Sequence, residues 1–158
     1  MATDVNQYLG NPNLKKANVP VEFTKEQIQE YQKCMDDPVY FIQEYMKIVS
    51  LDEGLVPFKM YDFQRNMVKT FHDNRFTICK LPRQSGKSTT IIAYLLHYVL
   101  FNPNVNVAIL ANKSSTARDI LGRLQLGYEH LPKWLQQGVI SWNKGSLDLE
   151  NGSSILAA

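Results

Sequence analysis

The window Leu81-Pro-Arg-Gln-Ser-Gly-Lys-Ser88 constrains this chain more than any other stretch, because two apolar segments of different kinds flank it. Before it, Arg75-Phe-Thr-Ile-Cys-Lys-Leu81 is rich in β-favouring residues and is expected as a buried strand. After it, Ser88 to Phe101 is expected as a long apolar helix that Asn102-Pro-Asn104 stops. Val105 to Ala111 reads as a second strand, continuous and apolar in the manner of parallel sheets. A helix from about Ser115 to His130 follows. Strand, loop, helix, strand, helix is the βαβ order of an α/β fold.

The loop's residue types suit a polyphosphate. The general pattern is G-x-x-x-x-G-K-[ST]. Gly86, Lys87 and Ser88 are in place, and Leu81 stands where the first glycine belongs. Backbone N–H groups around Gln84 to Lys87 can turn inward onto phosphate oxygens. The start of the following helix adds partial positive charge. Gly86 lets the backbone approach closely, Lys87 reaches the outer phosphates as a point charge, and the Ser88 hydroxyl is placed for Mg²⁺. The expected ligand is a nucleoside triphosphate, ATP with Mg²⁺, held by Pro82, Arg83, Gln84, Ser85, Gly86, Lys87, Ser88 and Thr89. Catalytic roles fall to Lys87 and Arg83. Read from spacing alone, Arg83 fits equally a finger that stabilises transferring phosphate and a solvated surface arginine. The bland alternative for the whole window is a helix start that carries Gly-Lys-Ser by chance.

The remaining segments divide the chain. Residues 1–20 are polar, hold Asn6, Asn11, Pro12, Asn13 and Pro20, and read as a flexible arm without a signal peptide. Thr24 and Gln27 have capping-box spacing and open a helix to about Met35. Asp37 caps a second helix with Pro38 at its first position, and Phe41, Tyr45 and Ile48 lie at helical spacing on it. A break at Gly54 and Pro57 separates this helical subdomain (21–55) from the main layer (56–158). A third helix is expected over Asp62 to Asp73 with Phe63, Met67, Val68 and Phe71 inward. At the other end, Val139 to Trp142, Ser146 to Leu149 and Ser154 to Leu156 alternate with Asn143-Lys-Gly145 and Asn151-Gly152, as a short antiparallel meander does.

Composition excludes several classes. The formal charge of only +2 argues against a generally basic nucleic-acid coat, although a local basic face stays open. Cys34 and Cys79 make neither a CxxC pair nor a cluster with histidines, so no zinc site is expected, and both read as buried thiols. The longest apolar stretch, Ile91 to Phe101, is too short to cross a bilayer, so a soluble, intracellular protein is expected.

The segments Tyr61-Asp-Phe-Gln-Arg65, Pro82-Arg-Gln-Ser-Gly-Lys-Ser88, Ala108-Ile-Leu-Ala-Asn-Lys113, Trp142-Asn-Lys-Gly-Ser146 and Glu150-Asn-Gly-Ser-Ser154, in this order and spacing, resemble the ATPase part of the large terminase subunit of T-even-type tailed bacteriophages. The resemblance spans roughly residues 12–156. It implies a P-loop NTPase core with a parallel sheet. It implies ATP-driven translocation of double-stranded DNA into a procapsid, with the portal and the small terminase subunit as partners, in the host cytoplasm. It also implies that Gln64 reads the adenine edge beside Phe63, and that Arg83 is a finger acting in cis. A glutamine amide both donates and accepts, which suits adenine, yet read alone Gln64 fits a surface glutamine and Phe63 a core residue. Lys113 and Arg118, at the end of the second strand, fit either a coupling loop toward DNA or solvated charges at a helix start.

Two departures from the family pattern carry expectations of their own. Lys59 stands near the position of a second glutamine. No apolar strand ending in an acidic pair follows Ser154, and the family's nuclease domain is not seen. The expectation is therefore a fragment that binds ATP and hydrolyses it poorly. The alternatives are a non-enzymatic docking module completed by a partner chain, or part of a helicase-like P-loop motor.

Overall fold

The computed structural model describes residues 5–50 and 52–158. Its helices begin where side chains can satisfy the free amides of a first turn. Helix α1 (Lys25–Asp36) starts on a reciprocal cap: the Thr24 hydroxyl accepts from Gln27 N at 3.1 Å, and Gln27 Oε1 accepts from Thr24 N at 3.0 Å. Helix α2 (Pro38–Tyr45) starts on Asp37, whose carboxylate accepts from the amides of Val39 and Tyr40. Both caps are those the sequence spelled out.

Helix α2 stops at Tyr45, earlier than the spacing of Ile48 implied. The chain instead forms an antiparallel hairpin, β3 (Lys47–Ser50) with β4 (Gly54–Pro57), counting the preceding pair of strands described below as β1 and β2. Ile48 and Val49 are β-branched and pair with Val56 and Leu55, which competes successfully with one more helical turn. Helix α3 (Asp62–Asp73) has the expected bounds and buries Met67 and Val68. Phe63 does not face inward as expected; it is partly exposed and stacks on Tyr61.

Residues 75–81 depart most from expectation. They run without strand pairing, with Ile78 98 % and Phe76 82 % exposed. Thr77, Cys79 and Leu81 alternate with them and are half-buried, so one face of the run lies on the protein, but among the described residues no neighbouring strand completes a ladder with it. Helix α4 (Lys87–Phe101) follows the loop and is the centre of the molecule, with α2, α3 and the later helix α5 (Ser114–Glu129) packed on it. Its apolar residues Ile92, Ala93, Leu96, Val99 and Leu100 are all buried. His97 is buried with them, and its Nε2–H donates to the Cys34 carbonyl at 2.8 Å. Among the described residues the Nδ1 atom has no hydrogen-bond partner, and burial lowers the imidazole pKa from 6.5 to about 4, so the ring is neutral at pH 7.

Strand β5 (Asn106–Ile109) and helix α5 (Ser114–Glu129) lead to a 3₁₀ turn at Lys133–Leu135 and then to β6 (Val139–Trp142), β7 (Ser146–Leu149) and β8 (Ser154–Ala157). The sheet order is β5-β8-β7-β6: the tail is the expected antiparallel meander, and β8 joins β5 in parallel, with Val107 opposite Ile155. The architecture is a mixed α/β fold, with five α-helices among the described residues.

The described part of residues 1–20, expected as a flexible arm, is docked. β1 (Gln7–Tyr8) and β2 (Asn11–Lys15) form a hairpin, and Leu14 enters the core at 2 % exposure, worth about 2 kcal/mol. Gln136 fastens this segment, accepting from Lys15 N at 3.0 Å and donating to Asn13 O at 2.9 Å. Glu150 adds Lys15 Nζ at 3.0 Å and Asn18 N at 2.8 Å. Gly138 permits the approach, because a Cβ there would lie 2.5 Å from Ala17 Cα. Of the two thiols, Cys34 is buried, and burial followed by the nearby Glu30 and Glu44 pushes it up to about 12. Cys79 is only half-buried, contrary to expectation, because its segment lies on the surface. Among the described residues, no helix is long and apolar enough to cross a membrane.

Candidate functional site

The loop between Leu81 and α4 turns on two residues in the left-handed region, Gln84 at φ 58 and Gly86 at φ 77. Gly86 is also the N-cap of α4, so no side chain caps the helix, and its first turn contains no acid. Among the described residues, none of the amides from Gln84 to Thr89 donates to a protein acceptor. A helix start in this condition exposes unsatisfied donors together with the positive end of the helix dipole. The first intrahelical bond is anchored firmly: Gly86 O accepts both Thr90 N at 3.0 Å and Thr90 Oγ1 at 2.9 Å.

The loop also holds its cation close. Lys87 Nζ donates to Pro82 O at 3.1 Å, and Ser85 Oγ donates to the same carbonyl at 3.0 Å. Lys87 makes no ion pair among the described residues, so its charge is uncompensated beside the free amides. Arg83 and Ser88 are exposed, and neither side chain makes a hydrogen bond among the described residues. Thr89 is half-buried and lines a cleft of about 340 Å³ shared with Lys47, Ile48 and Arg123.

Helix α3 delivers the second part of the site. Gln64 sits at its third position, 3 % exposed, and its Oε1 accepts from Tyr61 N at 2.9 Å. Its Nε2 faces Gly86 so closely that a Cβ built on the glycine would lie 2.7 Å away. Gln64 is therefore not a surface residue, and the fold brings it against the loop. Beside it the rings of Tyr61 and Phe63 stack at 6.0 Å with 10° between their planes, and Tyr61 is 71 % exposed. Arg65 ties this corner together by donating to Met60 O at 2.8 Å and pairing with Asp62.

The structure thus brings Gln64 against Gly86 of the loop, while Phe63 stands next to Gln64 in α3 and stacks on Tyr61. Tyr61 was not among the candidate site residues; its exposed ring stacks on Phe63, a pairing that their spacing around the helix start allows. Lys59 is exposed, and so are Lys113 and Arg118 at the start of α5.

A family model described as terminase large subunit, T4-like-virus type, N-terminal, matches residues 78–158, just over half of the chain. The match takes in the loop, α4, α5 and the whole four-stranded sheet. It begins after α3, so it does not take in Tyr61, Phe63 or Gln64, of which Gln64 lies against Gly86.

Proposed function

We propose that this chain, which belongs to the T4-like-virus-type terminase large-subunit family, supplies the ATP-binding part of a motor that packages double-stranded DNA. The carrying observation is the start of α4: among the described residues, amides from Gln84 to Thr89 without an acceptor, no side-chain cap and no acid in the first turn, with the Lys87 ammonium held over the loop. A triphosphate is the ligand that answers all four features at once, since it brings several acceptor oxygens and a high negative charge. On this reading the segment around α4 is a P-loop core, and residues 82–89 are its phosphate loop.

Each residue then has a task. Gly86 admits the phosphates to the backbone, and Lys87 swings from Pro82 O to the outer phosphates. The Ser88 hydroxyl, exposed and without a hydrogen bond among the described residues, fits one coordination position of Mg²⁺. The metal, when bound, neutralises charge on the β and γ phosphates. Arg83 stands on the rim with its guanidinium free to follow the charge that develops on transfer. The stacked pair Tyr61 and Phe63 offers the base an aromatic wall. Double-stranded DNA, the procapsid portal and the small terminase subunit are the partners that family membership supports, and contacts to DNA should be phosphate-directed and salt-sensitive.

The test is titration with a non-hydrolysable ATP analogue and Mg²⁺, comparing wild type with Lys87→Ala. Loss of the ammonium should weaken binding by about 10- to 100-fold. Equal affinities, or no binding by the wild type, would remove the assignment.

A further inference from the structure

Helix α5 and the turn between β6 and β7 line a groove of about 520 Å³ that the nucleotide reading leaves unused. Arg118, Gly122 and Gln125 follow one another at helical spacing along it, and Asp119, Arg123 and Leu126 follow one residue on. Lys144 joins them from the turn. That turn is fixed in place: Gln125 Nε2 donates to Asn143 O at 2.9 Å, and Asn143 Oδ1 accepts the amides of Gly145 and Ser146 at 2.8 and 2.9 Å. Gly122 keeps the helix surface low, since nothing lies within 4 Å of a Cβ built on it.

Arg118, Arg123 and Lys144 are exposed and make no ion pair among the described residues, and Asp119 is the one acid in the lining. The adjoining cleft shares Arg123 and Leu126 with the groove, adds Lys47, and reaches Thr89 in the first turn of α4. Four cations and one acid thus gather in two neighbouring clefts of a chain whose formal charge is only +2, so the remainder of the chain is slightly acidic. A protein partner would need apolar or aromatic anchors, and the half-buried Leu126 is the only large apolar side chain that lines the groove. A single strand of nucleic acid would need rings on which to stack its bases, and no aromatic residue lines it. Unpaired cations on a polar helix face answer a row of phosphates instead.

We propose that this groove seats the phosphate backbone of double-stranded DNA, with Arg118, Arg123 and Lys144 as its contacts and Lys47 extending it toward the phosphate loop. The inference rests on the DNA-packaging reading and names a surface for it. Lys113, although exposed at the start of α5, does not line the groove and takes no part in it. Phosphate contacts carry no sequence information, so binding here is independent of sequence.

The test uses the whole chain, a short labelled DNA duplex of mixed sequence and a series of salt concentrations. Two triple variants remove the same charge. One combines Arg118→Ala, Arg123→Ala and Lys144→Ala. The other combines Lys16→Ala, Lys25→Ala and Lys69→Ala, three exposed lysines outside the groove. The groove variant should weaken duplex binding by roughly tenfold or more, and should flatten the slope of log K against log salt by about 2 to 3. The control variant should stay within about twofold of wild type. Equal losses in the two would mean that net charge alone attracts DNA, and would overturn the proposal. Polyglutamate bound by the wild type as tightly as the duplex would assign the groove to an acidic protein, and would overturn it too.

Gly122→Glu and Gly122→Gln add side chains of matching size to the open position, and both favour a helix over glycine, so neither endangers the fold. The carboxylate should weaken the duplex severalfold more than the amide does; equal affinities in the two would place the DNA elsewhere. Undiminished binding by the groove variant removes the groove alone, whereas no duplex binding by the wild type removes the DNA reading with it. An ATP-analogue titration in which Lys87→Ala matches wild type would strike the nucleotide reading, a result distinct from any at the groove.

Discussion

Two regions of this molecule set backbone amides beside a lysine ammonium, and they differ in what the protein does with them. At the junction of the N-terminal hairpin and the sheet, the Glu150 carboxylate receives Gly138 N at 2.7 Å, Asn18 N at 2.8 Å and Lys15 Nζ at 3.0 Å. At the start of α4, the amides from Gln84 to Thr89 receive no protein acceptor among the described residues, and Lys87 rests on a neutral carbonyl. The donor chemistry is the same. The first region is closed by an anion from the protein's own chain, whereas the second has no such anion among the described residues, as the proposed phosphate site requires. Donors alone therefore do not identify a site; what identifies it is the donors that remain after the fold has used its own acceptors.

The comparison breaks if the closed corner affects binding or the open one carries stability. Glu150→Ala should have the largest effect on folding, about 3 kcal/mol, because it leaves Lys15 and two amides without their acceptor. Chemical denaturation measures this loss, and the affinity for ATP analogue should stay at the wild-type value in the folded protein. Gly86→Ala should act in the opposite sense. It should abolish measurable analogue binding, and it should cost about 2 kcal/mol of stability through left-handed strain and the clash with Gln64. Wild-type binding in Gly86→Ala would show that the loop geometry is not used.

Acid sharpens the contrast once His97 is separated from Glu150. Burial alone would raise the Glu150 carboxyl; the amides of Gly138 and Asn18, with Lys15, outweigh it and hold the value below the ordinary one. His97 is also lowered, to about 4 from 6.5, chiefly by burial. Both groups therefore stabilise the fold fully above their unfolded values and withdraw that contribution as pH falls through the folded ones. For His97 the window is pH 6.5 to about 4, so stability should fall by about 2 kcal/mol between pH 7 and pH 5. His97→Gln should flatten this slope, whereas Glu150→Gln should leave it in place and remove dependence at lower pH. The smallest effect should come from Thr24→Ala, which removes a helix cap remote from both regions and should cost about 1 kcal/mol with no change in binding.

What was legible in the sequence follows the range of the interactions involved. The caps at Thr24 and Asp37, the bounds of α3 and the three tail strands depend on residues a few positions apart, and they stand where they were read. The docked arm was not legible because Gln136 and Glu150 hold it from the far end of the chain, and Asn and Pro near the terminus read locally as loose. Residues 75–81 have strand composition but no strand partner among the described residues, and composition alone cannot supply one. At the candidate site, the helix start after Gly86 was readable from the order Gly86, Lys87, Ser88. The burial of Gln64 and its contact with Gly86 were not, since they depend on how α3 packs beside the loop.

The most direct measurement is an amide NMR titration of the ¹⁵N-labelled chain with inorganic tripolyphosphate and Mg²⁺. The account predicts that the resonances of Gly86, Lys87, Ser88 and Thr89 shift in a saturable way, while Gly138 and Asn18, already bonded to Glu150, stay still. Shifts at Gly138 and Asn18 with none at the start of α4, or no saturable shift at the start of α4, would contradict it.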